Sequence, residues 1–138
     1  MAEVADGPVG LDTNVIARLV LADDVEQTRR AQRMLVKAAT RGQLVMVALG
    51  VLLELEWVLR SRAGLDKAAV LRVFKGLLET RDLRIEHEAS VERAVYAWEQ
   101  GSADFADCLH LARYREMGCD TMLTFDRAAA RLSGATAL

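Results

Sequence analysis

Residues 9–16 read Val-Gly-Leu-Asp-Thr-Asn-Val-Ile. The first three residues are a short apolar run that predicts a β-strand, and the residues from Val15 onward have the apolar spacing of a helix. Asp12 stands between the two, directly after the predicted strand. The stretch therefore predicts a strand that ends at a carboxylate and is followed at once by a helix.

The same order of elements recurs along the whole chain. The predicted strands are 9–11, 44–49, 83–86 and 121–124, and the predicted helices begin near Val15, Asp24, Gly50, Asp66, Ser90, Ala103 and Asp126. Short apolar strands that alternate with amphipathic helices are typical of a parallel sheet covered on both faces. We therefore expect the α/β class, a three-layer α/β/α sandwich with a short parallel sheet, in a single domain over residues 1–138.

The composition is that of a globular protein with one proline and two cysteines, which excludes a disordered chain. Cys108 and Cys119 lack the close spacing of a zinc or redox motif, and we read them as buried thiols in a reducing compartment. Residues 1–7 lack the apolar run of a secretory signal, and no segment has the apolar length of a membrane span. We therefore expect a cytoplasmic protein with no membrane association.

Two aspartates follow predicted strands. Asp12 comes directly after the first strand, and Asp126 lies one residue beyond the last. The carboxyl ends of parallel strands form the edge at which open α/β sheets hold their sites, so these side chains are candidates to be neighbours. Each aspartate taken alone is also explained as a helix N-cap.

Glu54 lies inside a predicted helix, with Val51 and Val58 about one turn away on either side. We therefore expect it to face the apolar side of that helix, where a carboxylate needs a cation or several hydrogen-bond donors. A boundary glutamate that reaches solvent or an arginine is the alternative. Glu56 has Arg60 four residues later, which predicts a solvent-facing pair.

Asp104 and Asp107 stand three residues apart at the start of a predicted helix and share one face of it. Asp104 is adequately explained as a first-turn residue that the helix dipole favours. Asp107 lies deeper in the helix, beside Leu111 on a more apolar face. Asp107 is therefore the stronger candidate ligand of the two.

These clustered acids predict a metal site with hard oxygen ligands. The chain has only two histidines, His87 and His110, too few for a histidine-rich zinc site. Carboxylates without histidine favour Mg²⁺ or Mn²⁺. Such a site suits phosphodiester hydrolysis, in which the metal activates water and offsets charge on the phosphate.

Four segments resemble the successive signature blocks of PIN-domain proteins. They are Leu-Asp-Thr-Asn-Val at 11–15, Leu-Glu-Leu-Glu-Trp-Val-Leu-Arg at 53–60, Ala-Asp-Phe-Ala-Asp at 103–107 continuing to Leu-Ala at 111–112, and Leu-Thr-Phe-Asp-Arg at 123–127. The resemblance covers nearly the whole chain, and the small size is similar to that of the VapC ribonuclease toxins of toxin-antitoxin pairs.

The resemblance implies a set of site residues. Asp12, Glu54, Asp107 and Asp126 would hold Mg²⁺ or Mn²⁺, with Asp104 as a fifth member, and Asn14 and Thr124 would support these acids or orient a phosphate. It also implies cleavage of single-stranded regions of RNA, a homodimer, and inhibition by an antitoxin protein that covers the acidic pocket.

Three other kinds of protein share some of these acids. A phosphoacceptor signalling domain would need an acidic pair after the first strand and a lysine after the last, but the last lysine is Lys75. A catalytically inactive PIN-like module that acts only as a binding partner stays open as an alternative, although every acid is present. A nuclease acting on DNA flaps would share the metal chemistry but would usually need a longer chain to grip a duplex.

Two features outside the acids are predicted to be structural. Trp57 and Trp98 sit within apolar helical patterns and are read as core or interface aromatics rather than base-stacking platforms. The basic residues of the second predicted helix, Arg29, Arg30, Arg33 and Lys37, are read as a solvated face, with contact to RNA or to an acidic antitoxin as the alternative.

Overall fold

The structure is a computed structural model that describes residues 6–138. The chain divides into two compact units, the first ending at Glu86 and the second spanning His87–Leu138. The expectation about a secretory signal rests mostly on residues 1–5, which lie outside the described part of the chain. No helix within residues 6–138 has the length and apolar character needed to cross a membrane.

The first unit contains three parallel strands and four α-helices. Its elements are β1 (Val9–Gly10), α1 (Thr13–Leu21), α2 (Val25–Thr40), β2 (Val45–Val47), α3 (Leu49–Trp57), a π-helical turn (Val58–Arg62), α4 (Lys67–Glu79) and β3 (Leu83–Ile85). The strand order is β1-β2-β3, and Val45 of β2 pairs with Val9 on one side and Leu83 on the other. Each strand is followed by helix, as a parallel sheet requires.

Side chains at the strand and helix ends fix where these helices begin. The carboxylate of Asp24 accepts the Gln27 N–H at 3.0 Å, and that of Asp66 accepts the Ala69 N–H at 2.8 Å. These bonds satisfy amides that the first turn of a helix leaves without a partner. Helix α3 has no such cap of its own, and Glu86, just after β3, accepts the Leu49 N–H at 2.9 Å.

The core of the first unit lies between its helices and one face of its sheet. Val45 and Val47 of β2 are buried whereas Met46 between them is exposed, because successive side chains of a strand point to opposite faces. The largest fully buried apolar side chains of this unit are Ile16, Val47, Leu52, Leu55, Leu59, Val70 and Phe74.

The second unit is mostly helical. Its elements are α5 (Glu88–Gln100), α6 (Phe105–Glu116), β4 (Met122–Thr124), α7 (Arg127–Ala130) and β5 (Ala135–Ala137). The rings of Trp98 and Phe105 pack with their centroids 5.4 Å apart. Strands β4 and β5 pair in parallel as a sheet of two strands, and Met122 is buried with Leu111 and Ala129 beneath it.

The predicted fold class is confirmed. The protein is 61% helical with short parallel sheets, as expected for an α/β/α fold of this kind. Strand β5 was not predicted, because Ala-Thr-Ala has no apolar run and forms a strand only by pairing with β4. The prediction that both cysteines are buried was half wrong: Cys108 is buried, but Cys119 is exposed in the turn after α6.

The core packing of the first unit gives a stability prediction. Leu55 has no exposed surface, and Leu55→Ala should lower the free energy of unfolding by about 2–5 kcal/mol through lost burial and the cavity left behind. Val36→Ala on α2, where the side chain is 66% exposed, is the control and should change it by less than about 0.5 kcal/mol. Urea unfolding followed by circular dichroism measures both; equal effects would contradict this core assignment.

Candidate functional site

Asp12 and Glu54 line one cleft of the first unit, with a volume of about 550 Å³. Asp12 stands between β1 and α1, and its Oδ1 accepts the Thr13 N–H at 2.7 Å. Among the described residues its other carboxylate oxygen receives no hydrogen bond. Asp12 is therefore the N-cap of α1, as one interpretation of the sequence predicts, and its second carboxylate oxygen is left for a ligand in the cleft.

The structure reverses the expected orientations of the two glutamates in α3. Glu54 is exposed on the cleft rather than directed to the apolar side, and Glu56 is only 8% exposed. The predicted pair does form, since Arg60 Nε lies 2.8 Å from Glu56 Oε1, but it is partly buried. Helix α3 is apolar on almost every face, so its sequence did not indicate which side would be covered.

Three aspartates of the second unit lie close enough to affect one another. Asp104 precedes α6, Asp107 lies in its first turn, and Asp126 precedes α7. Partial burial, then the carboxylate of Asp126 and then that of Asp104, raise the pKa of Asp107 above its ordinary value, while His110 opposes the rise. The structure thus brings together three acids that the sequence separates by up to 22 residues.

Asp107 is the most enclosed acid of this group, as predicted. It is partly buried, whereas Asp104 and Asp126 are exposed. Asp104 occupies the N-cap position of α6 but makes no side-chain cap bond within the described part of the chain. Asp126 does cap α7, because its Oδ1 accepts the Ala129 N–H at 2.8 Å.

Thr124 and Asn14 occupy positions that fit the supporting roles expected of them. The Thr124 hydroxyl accepts the Asp126 N–H at 3.0 Å and so fixes the backbone that carries this acid. Thr124 also lines a small pocket with Asp107 and His110. Asn14 is exposed and lines the cleft that holds Asp12.

Sequence reasoning missed Thr13. Its hydroxyl is buried, with the residue 5% exposed, and has no hydrogen-bond partner among residues 6–138. Thr13 also lines the cleft beside Asp12. A buried hydroxyl without a partner is rare enough to mark a position that another group completes. The signal that could have identified Thr13 in the sequence is its position between Asp12 and Asn14, two candidate site residues.

The donor chemistry of these acids fits a divalent cation. Carboxylate oxygens suit Mg²⁺ or Mn²⁺, and a cation would offset both causes that raise the pKa of Asp107, its partial burial and the charges of Asp126 and Asp104. Within residues 6–138, no group of three or more His, Cys, Asp or Glu side chains is placed so that it could hold a metal ion.

Comparison with known families decides what kind of domain carries these acids. The PIN domain family matches residues 9–135. The chain belongs to the PIN domain family. PIN domains are generally nucleases that typically use divalent metal ions and act on RNA. The match favours this reading over the phosphoacceptor domain. A search of curated proteins found no match to the chain.

The raised pKa of Asp107 predicts how one substitution changes stability with pH. Because the pKa of Asp107 is raised in the folded protein, its contribution to stability is fully present at a pH below 3.8, the ordinary pKa. That contribution is lost as the pH rises through the raised pKa of the folded state. Asp107→Asn should therefore gain stability relative to wild type as the pH rises from 3 to 7, by at most about 1.4 kcal/mol per pH unit.

Urea unfolding in the presence of EDTA measures this difference. Asp120→Asn changes an exposed aspartate of the same unit and is the matched control. A stability difference between Asp107→Asn and wild type that stays constant with pH would mean that the folded protein does not perturb Asp107.

Proposed function

We propose that this protein is a Mg²⁺- or Mn²⁺-dependent endoribonuclease that cleaves single-stranded regions of RNA. The proposed ligands are Asp12 and Glu54 together with Asp107, Asp126 and Asp104. The observation that carries the proposal is the placement of Asp104 and Asp126 close enough to Asp107 that, after partial burial, their charges also raise its pKa. Membership of the PIN domain family supports a nuclease that acts on RNA.

The residues of the chain hold these acids in place by backbone contacts. Asp12 is held by the Thr13 amide and Asp126 by the Ala129 amide, while Thr124 holds the Asp126 backbone. Because short bonds to helix amides limit side-chain motion, the acids lose little freedom when they bind a cation. A bound divalent ion would supply an activated water and offset charge on the scissile phosphate.

We further propose that the nuclease is the toxin of a toxin-antitoxin pair. The support is the resemblance of the four sequence blocks to those of PIN-domain proteins, together with a small size similar to that of the VapC toxins. A cognate antitoxin that covers the acids, a homodimer and a cytoplasmic location belong to this proposal. So does a single nuclease domain over residues 1–138, which the family match over residues 9–135 supports.

The nuclease proposal predicts a loss of activity that a lost helix cap would not cause. Wild type with Mg²⁺ or Mn²⁺ should cut a single-stranded oligoribonucleotide, and EDTA should stop it. Asp12→Ala and Asp126→Ala should each lower kcat/KM by more than about 100-fold, since groups that only support metal ligands already cost 10- to 100-fold when removed.

Asp66→Ala is the matched control for these variants. Asp66 also caps a helix, but it is not one of the proposed ligands. Its loss should cost about 1 kcal/mol of stability and leave cleavage at the wild-type rate. Cleavage by Asp12→Ala as fast as by Asp66→Ala would show that Asp12 is only a cap and that the ligand set is wrong.

The toxin proposal predicts a partner encoded beside this gene. A small neighbouring reading frame should encode a DNA-binding protein, and the two purified products should form a complex without RNA cleavage. Expression of the nuclease alone should arrest growth, and coexpression of the neighbour should restore it. Normal growth without the neighbour would argue for a housekeeping ribonuclease.

A further inference from the structure

Trp57 stands at the cleft that holds Asp12 and Glu54 and is not a core residue. It is 47% exposed and lines that cleft, whereas Trp98 is 5% exposed and packs on Phe105. The prediction that both tryptophans are core or interface aromatics is confirmed for Trp98 as a core residue, whereas the core interpretation is wrong for Trp57. A half-exposed indole beside candidate catalytic acids is available to a substrate.

A local break in helical geometry places an arginine on this indole. The guanidinium of Arg62 lies over the Trp57 ring, 5.4 Å from its centroid, within the range of a cation–π contact. Residues five apart in an α-helix point about 140° away from each other, so an unbroken helix would separate the two side chains.

The break is the π-helical turn at Val58–Arg62. The Ala63 N–H donates to the Val58 carbonyl at 3.0 Å, a bond between residues five apart. This wider turn brings the side chains of Trp57 and Arg62 to the same face. Single π-helical turns inside α-helices occur frequently at functional sites.

Arg62 is the cleft arginine whose charge remains available. Arg18, which also lines the cleft, lies 3.2 Å from Asp23 and donates to Gln27 at 2.6 Å. Arg62 is exposed, and among residues 6–138 its guanidinium contacts the Trp57 ring. A planar cation stacked on an indole is therefore presented beside the acids.

We propose that Trp57 and Arg62 form a stacking subsite for one unpaired base of the RNA next to the scissile phosphate. The inference rests on the proposed ribonuclease function and adds how its site selects single strands. Aromatic and guanidinium planes stack bases of any sequence, and a base inside a duplex is already stacked on its neighbours. A cleft of about 550 Å³ has room for a nucleotide.

The alternative occupant is a protein, because an exposed tryptophan beside an arginine is also common in protein interfaces. The position of the pair favours RNA. Trp57 and Arg62 line the same cleft as Asp12 and Glu54, so a strand whose phosphate lies at the acids passes within reach of the indole.

The test combines a protein variant with a substrate variant. Trp57→Leu should raise KM for a single-stranded oligoribonucleotide about 10-fold while kcat stays within about 2-fold, and Trp57→Phe should retain most of the binding. An oligonucleotide with an abasic site beside the cleaved bond should bring wild type and Trp57→Leu to the same KM. Tyr96→Leu, at an exposed aromatic of α5, is the control and should match wild type.

Two variants of Arg62 separate the contribution of its positive charge from that of its planar guanidinium. Arg62→Lys keeps the positive charge but loses the planar guanidinium. Its KM should therefore lie between that of wild type and the higher KM of Arg62→Gln. Binding is read independently of cleavage in the Asp12→Ala background. There, single-stranded RNA should quench the Trp57 emission, assigned by comparison with Trp57→Phe, and a duplex or an abasic chain should not.

The outcomes separate the two proposals. Absence of cleavage by wild type would overturn the ribonuclease function, and the quenching measurement would still decide whether Trp57 binds bases. Normal cleavage with an unchanged KM for Trp57→Leu would overturn the stacking subsite alone. A changed oligomeric size of Trp57→Leu, again with unchanged KM, would assign the indole to a protein interface instead.

Discussion

Carboxylates held at the starts of helices are the constraint on which the proposed chemistry depends. Asp12 and Asp126 each follow a strand, and each gives one oxygen to an amide at the start of the next helix. That bond fixes the side chain and leaves a second oxygen for another partner. The cost within the second unit is the partial burial of one carboxylate beside two others, and both burial and repulsion raise the pKa of Asp107.

This arrangement explains why the same residues fit a structural and a chemical role. An N-cap needs a short acceptor at a strand–helix junction, and a hard cation needs short oxygen ligands at the edge of a sheet. One aspartate meets both needs without a change of position. Stability alone therefore does not identify such a residue, because Asp66 caps a helix in the same way outside the proposed ligand set.

The cleft of the first unit adds a second kind of chemistry to the acids. The π-helical turn after α3 moves Arg62 onto Trp57 and so places a flat cationic surface near Asp12. Acids suit a cation and a phosphate, whereas the indole and guanidinium suit a base. An RNA strand carries both a phosphate and a base within one nucleotide, which is the basis of the proposed stacking subsite.

The sequence by itself determined the strand–helix alternation, the fold class and the acids as candidates, because apolar periodicity and capping residues are local signals. Tertiary structure decided which face of α3 is covered, since a helix apolar almost all round carries no pattern to choose between Glu54 and Glu56. It also decided that residues Ala135–Ala137 form a strand, because they pair with β4. It decided as well that Trp57 is exposed whereas Trp98 is buried. Those outcomes depend on which surfaces meet, and no window of sequence contains that information.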